Sequence, residues 1–258
     1  RVGGRVRTLD AVPGRPEAGG TEIGAGYARV RDAVRRIGGL PLQPWLPTVD
    51  MRFALRVDAT LLGAGDWAGS PANRLAGAER ATPGPFALPG LYTPRPSPLA
   101  DLDSWLDPAV AALDVPWGDY LRGRGASAEA LRLIGAATPS DDVATTSALW
   151  MLRLDRARDT MGTVESLERI ATGASRLPEG LAALLKTEVR TGTPVVGLAT
   201  GADGVEARTA DGTVHRARFA VCAVPLTILR GLALEPALPP LQAEAVGAIP
   251  YDQMTCAY

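Results

Sequence analysis

Between Pro194 and Pro225 the chain strings short apolar runs together through two Asp-Gly pairs, and this stretch limits the possible folds more than any other. Asp203-Gly204 and Asp211-Gly212 supply residues that tolerate positive φ, as tight hairpins require. The runs they separate, 195–199, 205–209 and 213–221, therefore predict a three-stranded antiparallel meander. The last run continues into Phe219-Ala-Val-Cys-Ala-Val224, apolar on both faces. That pattern predicts a strand entering a sheet covered on each side, stopped by Pro225.

The rest of the chain reads differently. Tyr27, Val30, Val34 and Ile37 recur at helical spacing opposite Arg29, Arg31, Asp32, Arg35 and Arg36, which predicts a helix over 25–39 ended by Gly38-Gly39. From Pro41 to Pro98 proline and glycine are frequent, and one strand or short helix fits 51–62. Helical pieces follow at 108–113, 117–122, 127–136 with Ser127 as N-cap, and 142–158. Pro178 fits the first helical position of a further segment carrying Leu181, Leu184 and Leu185. A helical middle beside a strand-rich end predicts an α/β chain, in the sense of an α and β mixture.

Composition narrows the function. The 258 residues hold 27 Lys+Arg and 28 Asp+Glu, with no cationic cluster, so neither a nucleic acid nor an anionic membrane surface is an expected partner. Two cysteines, Cys222 and Cys256, and the single His215 cannot build a disulfide framework or a four-ligand zinc site, and no metal is expected. The most apolar stretch, 219–234, is interrupted by Pro225 and Arg230, so no membrane span is expected. The chain begins at Arg1 without a charged-then-apolar leader, and reads as a processed subunit or a fragment. Low cysteine usage agrees with the cytoplasm but assigns no compartment.

Two glycine pairs near the start carry chemistry. In Arg1-Val-Gly-Gly-Arg5-Val-Arg-Thr8 the pair Gly3-Gly4 allows close approach of a ligand to backbone N–H groups, with Arg5 beside them for a phosphate. A plain turn explains the same residues. In Glu17-Ala-Gly-Gly-Thr-Glu-Ile-Gly24 the pair Gly19-Gly20 precedes the amphipathic helix, which suits a bound anion or a flat ring, and equally a helix-entry loop.

Taken in order, these stretches resemble the flavin-containing amine oxidase family, which includes monoamine, polyamine and L-amino acid oxidases. The family's RVGGR-T run matches residues 1–8, its E-x-GG-x-x-(I/V)-G run 17–24, and its G-x-x-x-L-P-x-x-L run 173–181. Its T-P-V strand matches 193–195, and its A-V-P turn with the following P-x-L-P loop matches 223–239. Support is least between 41 and 98.

The resemblance implies a partial Rossmann-like FAD/NAD(P)-binding domain interleaved with a largely helical substrate domain. Residues 1–45 and 188–225 would belong to the FAD-binding part, and 46–187 and 226–258 to the substrate part. Gly3, Gly4 and Arg5 would lie by the phosphates of FAD, Gly19, Gly20, Thr21 and Glu22 along the flavin side, and the backbone of Val195 at the adenine. The family's G-x-G-x-x-G unit would precede Arg1, and its flavin-covering segment would follow Tyr258. The remaining N- and C-terminal parts of the same enzyme are then expected partners, and residues 1–258 alone are expected to be inactive and not to retain FAD. Many family members carry a lysine where Cys256 aligns, which leaves oxidase and dehydrogenase behaviour both open. The implied reaction is oxidation of a C–N bond in a small amine or amino acid by hydride transfer to flavin, with oxygen as acceptor. The alternatives are a flavoprotein desaturase like the phytoene desaturase or protoporphyrinogen oxidase groups, and a non-catalytic subunit.

No catalytic side chain is named. His215 reads as a solvated strand residue, Asp141-Asp142 as a helix cap, Cys256 as a small buried hydrophobe, and the five tryptophans as core or as cavity lining.

Overall fold

The computed structural model describes residues 1–45, 54–63, 65–137, 142–162 and 166–251, without the side chains of 160 and 161. Helices and strands mix along its whole length. β1 (Arg7–Thr8) pairs antiparallel with β2 (Glu17–Gly19), with Arg7 opposite Gly19 and Thr8 opposite Glu17. α1 (Ala28–Arg36) follows, shorter than the 25–39 expected. Val34 is buried on its apolar face, and Gly38 and Gly39, at φ +90° and +85°, end it by donating to Arg35 O and Val34 O.

β3 (Leu42–Pro44) leaves this region, and its strand partner comes from far along the chain. It is β6 (Glu168–Ile170), antiparallel, with Leu42 opposite Ile170. Ile23 bridges Glu168, and the Trp45 amide donates to Leu167 O. α7 (Arg176–Ala183) comes next; the Gly180 position faces Ile37, where a Cβ would sit 2.8 Å from Cδ1. Residues 1–45 and 167–183 thus make one layer. The stripe Leu181, Leu184, Leu185 on and after α7 is exposed, and Pro178 sits third in the helix, not first.

The middle of the chain is helical around two apolar clusters that meet at Tyr120. A hairpin of β4 (Ala54–Val57) and β5 (Thr60–Gly63) opens it, turning at Asp58, φ +52°. Short helices α2 (Gly77–Arg80) and α3 (Pro89–Tyr92) and three 3-10 turns lead to α4 (Trp117–Gly123), α5 (Ala128–Ala137) and α6 (Ala148–Met161). Trp67, Leu88, Trp117, Leu121 and Ile134 fill the core. Ser127 caps α5 as expected, accepting from the Ala130 amide at 3.0 Å. α6 starts six residues later than Asp142, because Ser147 accepts from the Trp150 amide at 3.1 Å and takes the N-cap, while Asp142 accepts from Ala144 within a preceding turn. Asp141 lies outside the described residues.

The predicted meander is present as β7 (Val195–Gly201), β8 (Gly204–Thr209) and β9 (Val214–Ala217). Its Asp-Gly turns behave as the sequence requires. Gly204 has φ +127°, and a Cβ there would meet Ala217 O at 2.4 Å. A fourth strand, β10 (Ala233–Glu235), joins β7 in parallel after α8 (Leu226–Leu229), and α9 (Pro240–Ala248) follows. The extension through Phe219–Val224 differs from expectation: it is not a strand, and Phe219 and Val221 are 82% and 93% exposed. A strand needs backbone partners, and no described strand runs beside this segment. No described helix is long and apolar enough to cross a membrane.

Candidate functional site

The two glycine pairs meet. Gly3 and Gly4 form a tight turn at φ +98° and +51°, closed by the Val6 amide donating to Gly3 O at 2.8 Å. β1 leaves that turn and lies against β2, so that Gly19 sits on the Arg5 backbone. A Cβ on Gly19 would stand 2.0 Å from Arg5 O, so no other residue fits without parting the two segments. Gly20, at φ +84°, faces Val6, and a Cβ there would lie 3.1 Å from Cγ1. Gly4 and Arg5 are exposed, and a Cβ on Gly4 would meet nothing within 4 Å. Arg5 makes no hydrogen bond or ion pair with any described residue. Thr21 is exposed, Glu22 is half-buried, and the chain then turns inward at buried Ile23.

Behind this turn is a set of contacts that sequence reasoning did not find. The Thr8 amide donates to Ser175 Oγ at 2.8 Å, and the Ser175 amide donates back to Thr8 Oγ1 at 3.1 Å. Thr8 Oγ1 donates to Glu17 Oε2 at 2.9 Å, and the other Glu17 oxygen accepts from the Ala174 amide at 2.9 Å. Gly173, at φ +100°, leaves room for Thr8, whose Oγ1 would be 2.6 Å from a Cβ. Arg31 on α1 completes the frame, paired with Glu168 at 2.7 Å and donating to Gly24 O at 3.2 Å. The glycine turn is therefore held from below by buried and half-buried polar groups that satisfy one another, which fix its shape. Thr8 and Ser175 are 167 residues apart. Only the matched run 173–181 hinted at their pairing.

At the rim, Asp10 bridges Arg15, at 2.7 Å, and Arg176, at 2.8 Å. The hydrogen bond from Arg15, helped by the Arg176 charge and weaker contributions of both side chains, outweighs desolvation and holds its carboxyl below the usual range.

Val195 is in β7, opposite Thr209, and is exposed. Among the described residues no hydrogen bond or ion pair joins this sheet to the glycine turn. His215 lies on β9 opposite Ala207, its Nδ1 3.0 Å from an Arg190 guanidinium nitrogen. Cys222 is exposed, and Cys256 lies outside the described residues. Trp67 and Trp117 are core residues, 1% and 4% exposed, whereas Trp150 is exposed beneath the Arg153 guanidinium. Among the described residues no group of three His, Cys, Asp or Glu side chains is placed to hold a metal ion.

What can this arrangement do? A rigid exposed turn of glycine backbone beside an unpaired guanidinium suits an anionic group, for which backbone N–H and Arg are the usual ligands.

Residues 114–258 match the family described as flavin containing amine oxidoreductase. An L-amino acid dehydrogenase from Synechocystis sp. is 28% identical over 121 residues, which are 47% of this chain and 24% of that protein. The structure resembles cyclohexylamine oxidase from Brevibacterium oxydans with a TM-score of 0.71 and 22% identity, over 96% of this chain and 55% of that one. It resembles putrescine oxidase bound to putrescine with a TM-score of 0.71 and 18% identity, over 96% and 56% of the two chains. The chain thus spans about a quarter of the curated relative and just over half of the solved ones. With more than half of its length matched by one family, this chain belongs to the flavin-containing amine oxidoreductases.

Proposed function

We propose that residues 1–258 are the part of an FAD-dependent amine-oxidising enzyme that holds the cofactor's phosphate region and builds much of its substrate domain. The observation that carries the reading is the Gly3-Gly4 turn, with Gly19 and Gly20 packed against the Arg5 and Val6 that follow it and Arg5 exposed beside them. FAD fits the residues present: its diphosphate needs close backbone approach, which Gly3 and Gly4 permit, and a cation, which Arg5 supplies. When bound, the flavin accepts a hydride equivalent from the carbon that bears the amine.

The chain's own residues do the holding. The Gly4 and Arg5 amides and the Arg5 guanidinium bind the phosphates, and Gly19 to Glu22 follow the flavin side. The Thr8, Glu17 and Ser175 contacts keep the glycine turn and the strand carrying Gly19 in register. Val195 offers its backbone to the adenine. We assign residues 1–45 and 188–225 to the cofactor part and 46–187 and 226–258 to the substrate part, and the pairing of β3 with β6 favours moving 167–183 to the cofactor side. The exposed segment 219–224 is where the remaining parts of the same enzyme would pack. No described side chain is assigned an acid or base role.

The substrate is a small amine or amino acid, and oxygen is the proposed acceptor. A second reading, a dehydrogenase that passes electrons to another acceptor, draws support from the name of the Synechocystis relative and from the alignment of Cys256 with a lysine of the family. An amine and amino-acid panel offered to the complete polypeptide separates these readings. The proposal expects ammonia and hydrogen peroxide in equal amounts. Ammonia without peroxide, in the presence of an artificial electron acceptor, selects the dehydrogenase. Oxidation of a polyene or tetrapyrrole with no amine turnover overturns both.

A further inference from the structure

The helical part contains a cleft that none of the proposed cofactor residues touches. It lies between residues 86–93, α4 and α6 and has a volume of about 310 Å³, within the span of small-molecule sites. Phe86, Pro89, Trp117, Met151 and Leu152 give it an apolar and aromatic lining.

Its polar groups are few, and they differ in what they still lack. Asp155 is already taken: Arg95 grips both carboxylate oxygens, at 2.6 and 3.1 Å. The Arg158 side chain, one turn further along α6, has no hydrogen bond or ion pair with any described residue; neighbouring Asp159 is bound by Arg156 at 2.8 Å. Tyr120 also lines the cleft, and its hydroxyl is buried with no partner. An orphaned buried hydroxyl is uncommon enough to require an explanation. Arg95 and Asp155 cancel, which leaves the cleft one positive charge and one unused O–H donor.

We propose that this cleft binds a small amphipathic carboxylate. Its apolar body packs on Trp117, Met151 and Leu152, its carboxylate accepts from the Arg158 guanidinium, and a turn of the Tyr120 side chain that uncovers its hydroxyl lets it donate to the same ligand. An ammonium group finds no free carboxylate here, so the site is distinct from a binding place for the amine. The proposal is independent of the flavin reading, because no cofactor residue lines the cleft.

Isothermal titration of the whole chain with three isosteric probes tests it: 3-phenylpropanoate, 3-phenylpropan-1-ol and 3-phenylpropylamine. The carboxylate is expected to bind about tenfold tighter than the alcohol, as one charge-assisted pair provides. Arg158→Gln, at an exposed position where folding is not at stake, is expected to bring the carboxylate within about twofold of the alcohol while leaving the alcohol unchanged, and Arg158→Lys to restore part of the preference. Tyr120→Phe is expected to weaken the carboxylate severalfold. Tighter binding of the amine than of the carboxylate, an unchanged preference in Arg158→Gln, or no saturable binding of any probe overturns the proposal.

Discussion

A Cβ is a small group, yet its position decides what each glycine is for. On Gly19 it would lie 2.0 Å from a carbonyl oxygen, and a backbone atom cannot step aside as a side-chain tip can. Gly19→Ala is therefore expected to cost at least about 2 kcal/mol, as overpacking does. Gly4→Ala meets open space and carries only the penalty of φ +51°, about 1 kcal/mol. Paired chemical denaturation curves give the two values, and equal costs would contradict the packing described.

Glu79 is a second residue on which several groups depend. Burial opposes its charge, but hydrogen bonds from the Tyr92 hydroxyl and from the amide and hydroxyl of Ser127 outweigh it and hold the carboxyl below its usual range. Burial and this same carboxylate push the Tyr92 hydroxyl up. Glu79→Ala leaves the part-buried Tyr92 hydroxyl without its acceptor and the Ser127 donors to water, and is expected to cost about 1 kcal/mol, measured by urea unfolding.

At the scale of elements, the β8–β9 hairpin carries a pH signature. Hydrogen bonds from the Thr209 hydroxyl, at 2.6 Å, and from the Thr213 amide, at 3.0 Å, lower the Asp211 carboxyl from 3.8 to about 2. A carboxyl that is more acidic folded than unfolded supports the fold above its unfolded value. That support is complete above pH 4 and lost as pH falls toward 2. The Thr213 amide resonance is expected to titrate with a midpoint near pH 2, and a midpoint near 4 would show that the contact does not form.

This hairpin was also the most legible element. Asp-Gly pairs and alternating apolar residues are local signals, so β7, β8 and β9 could be read in the sequence, as could the Ser127 cap. β10 could not, because a parallel partner of three residues leaves no pattern of its own. The start of α6 differs from the expected 142 because Ser147, five residues closer to the apolar run, reaches the Trp150 amide and takes the cap. The glycine pairs were visible, but what clamps them was not, since the Thr8 and Ser175 bonds join residues with no shared periodicity. The strand expected through 219–224 had the right composition and no partner.

The whole molecule is uneven. Every buried apolar side chain among the described residues lies at or before Ala174, whereas thirteen of the nineteen large exposed apolar ones lie beyond residue 180. Exposed apolar surface on this scale is typical of regions that meet another surface. The chain is accordingly expected to bind the dye ANS. Replacing Phe219, Val221 and Leu241 together with serine is expected to remove much of that fluorescence and to change stability by less than about 0.5 kcal/mol, as exposed positions do. A large loss of stability would mean these side chains are packed within the chain itself.

The central claim is that the Gly3-Gly4 turn and Arg5 hold the phosphates of FAD, and the flavin content of the complete polypeptide tests it most directly. With Arg5→Ala, the purified protein is expected to lose most of its flavin, to recover it when excess FAD is added, and to keep the thermal stability of its flavin-free form. Flavin content and FAD affinity equal to those of the unaltered protein would place the cofactor elsewhere.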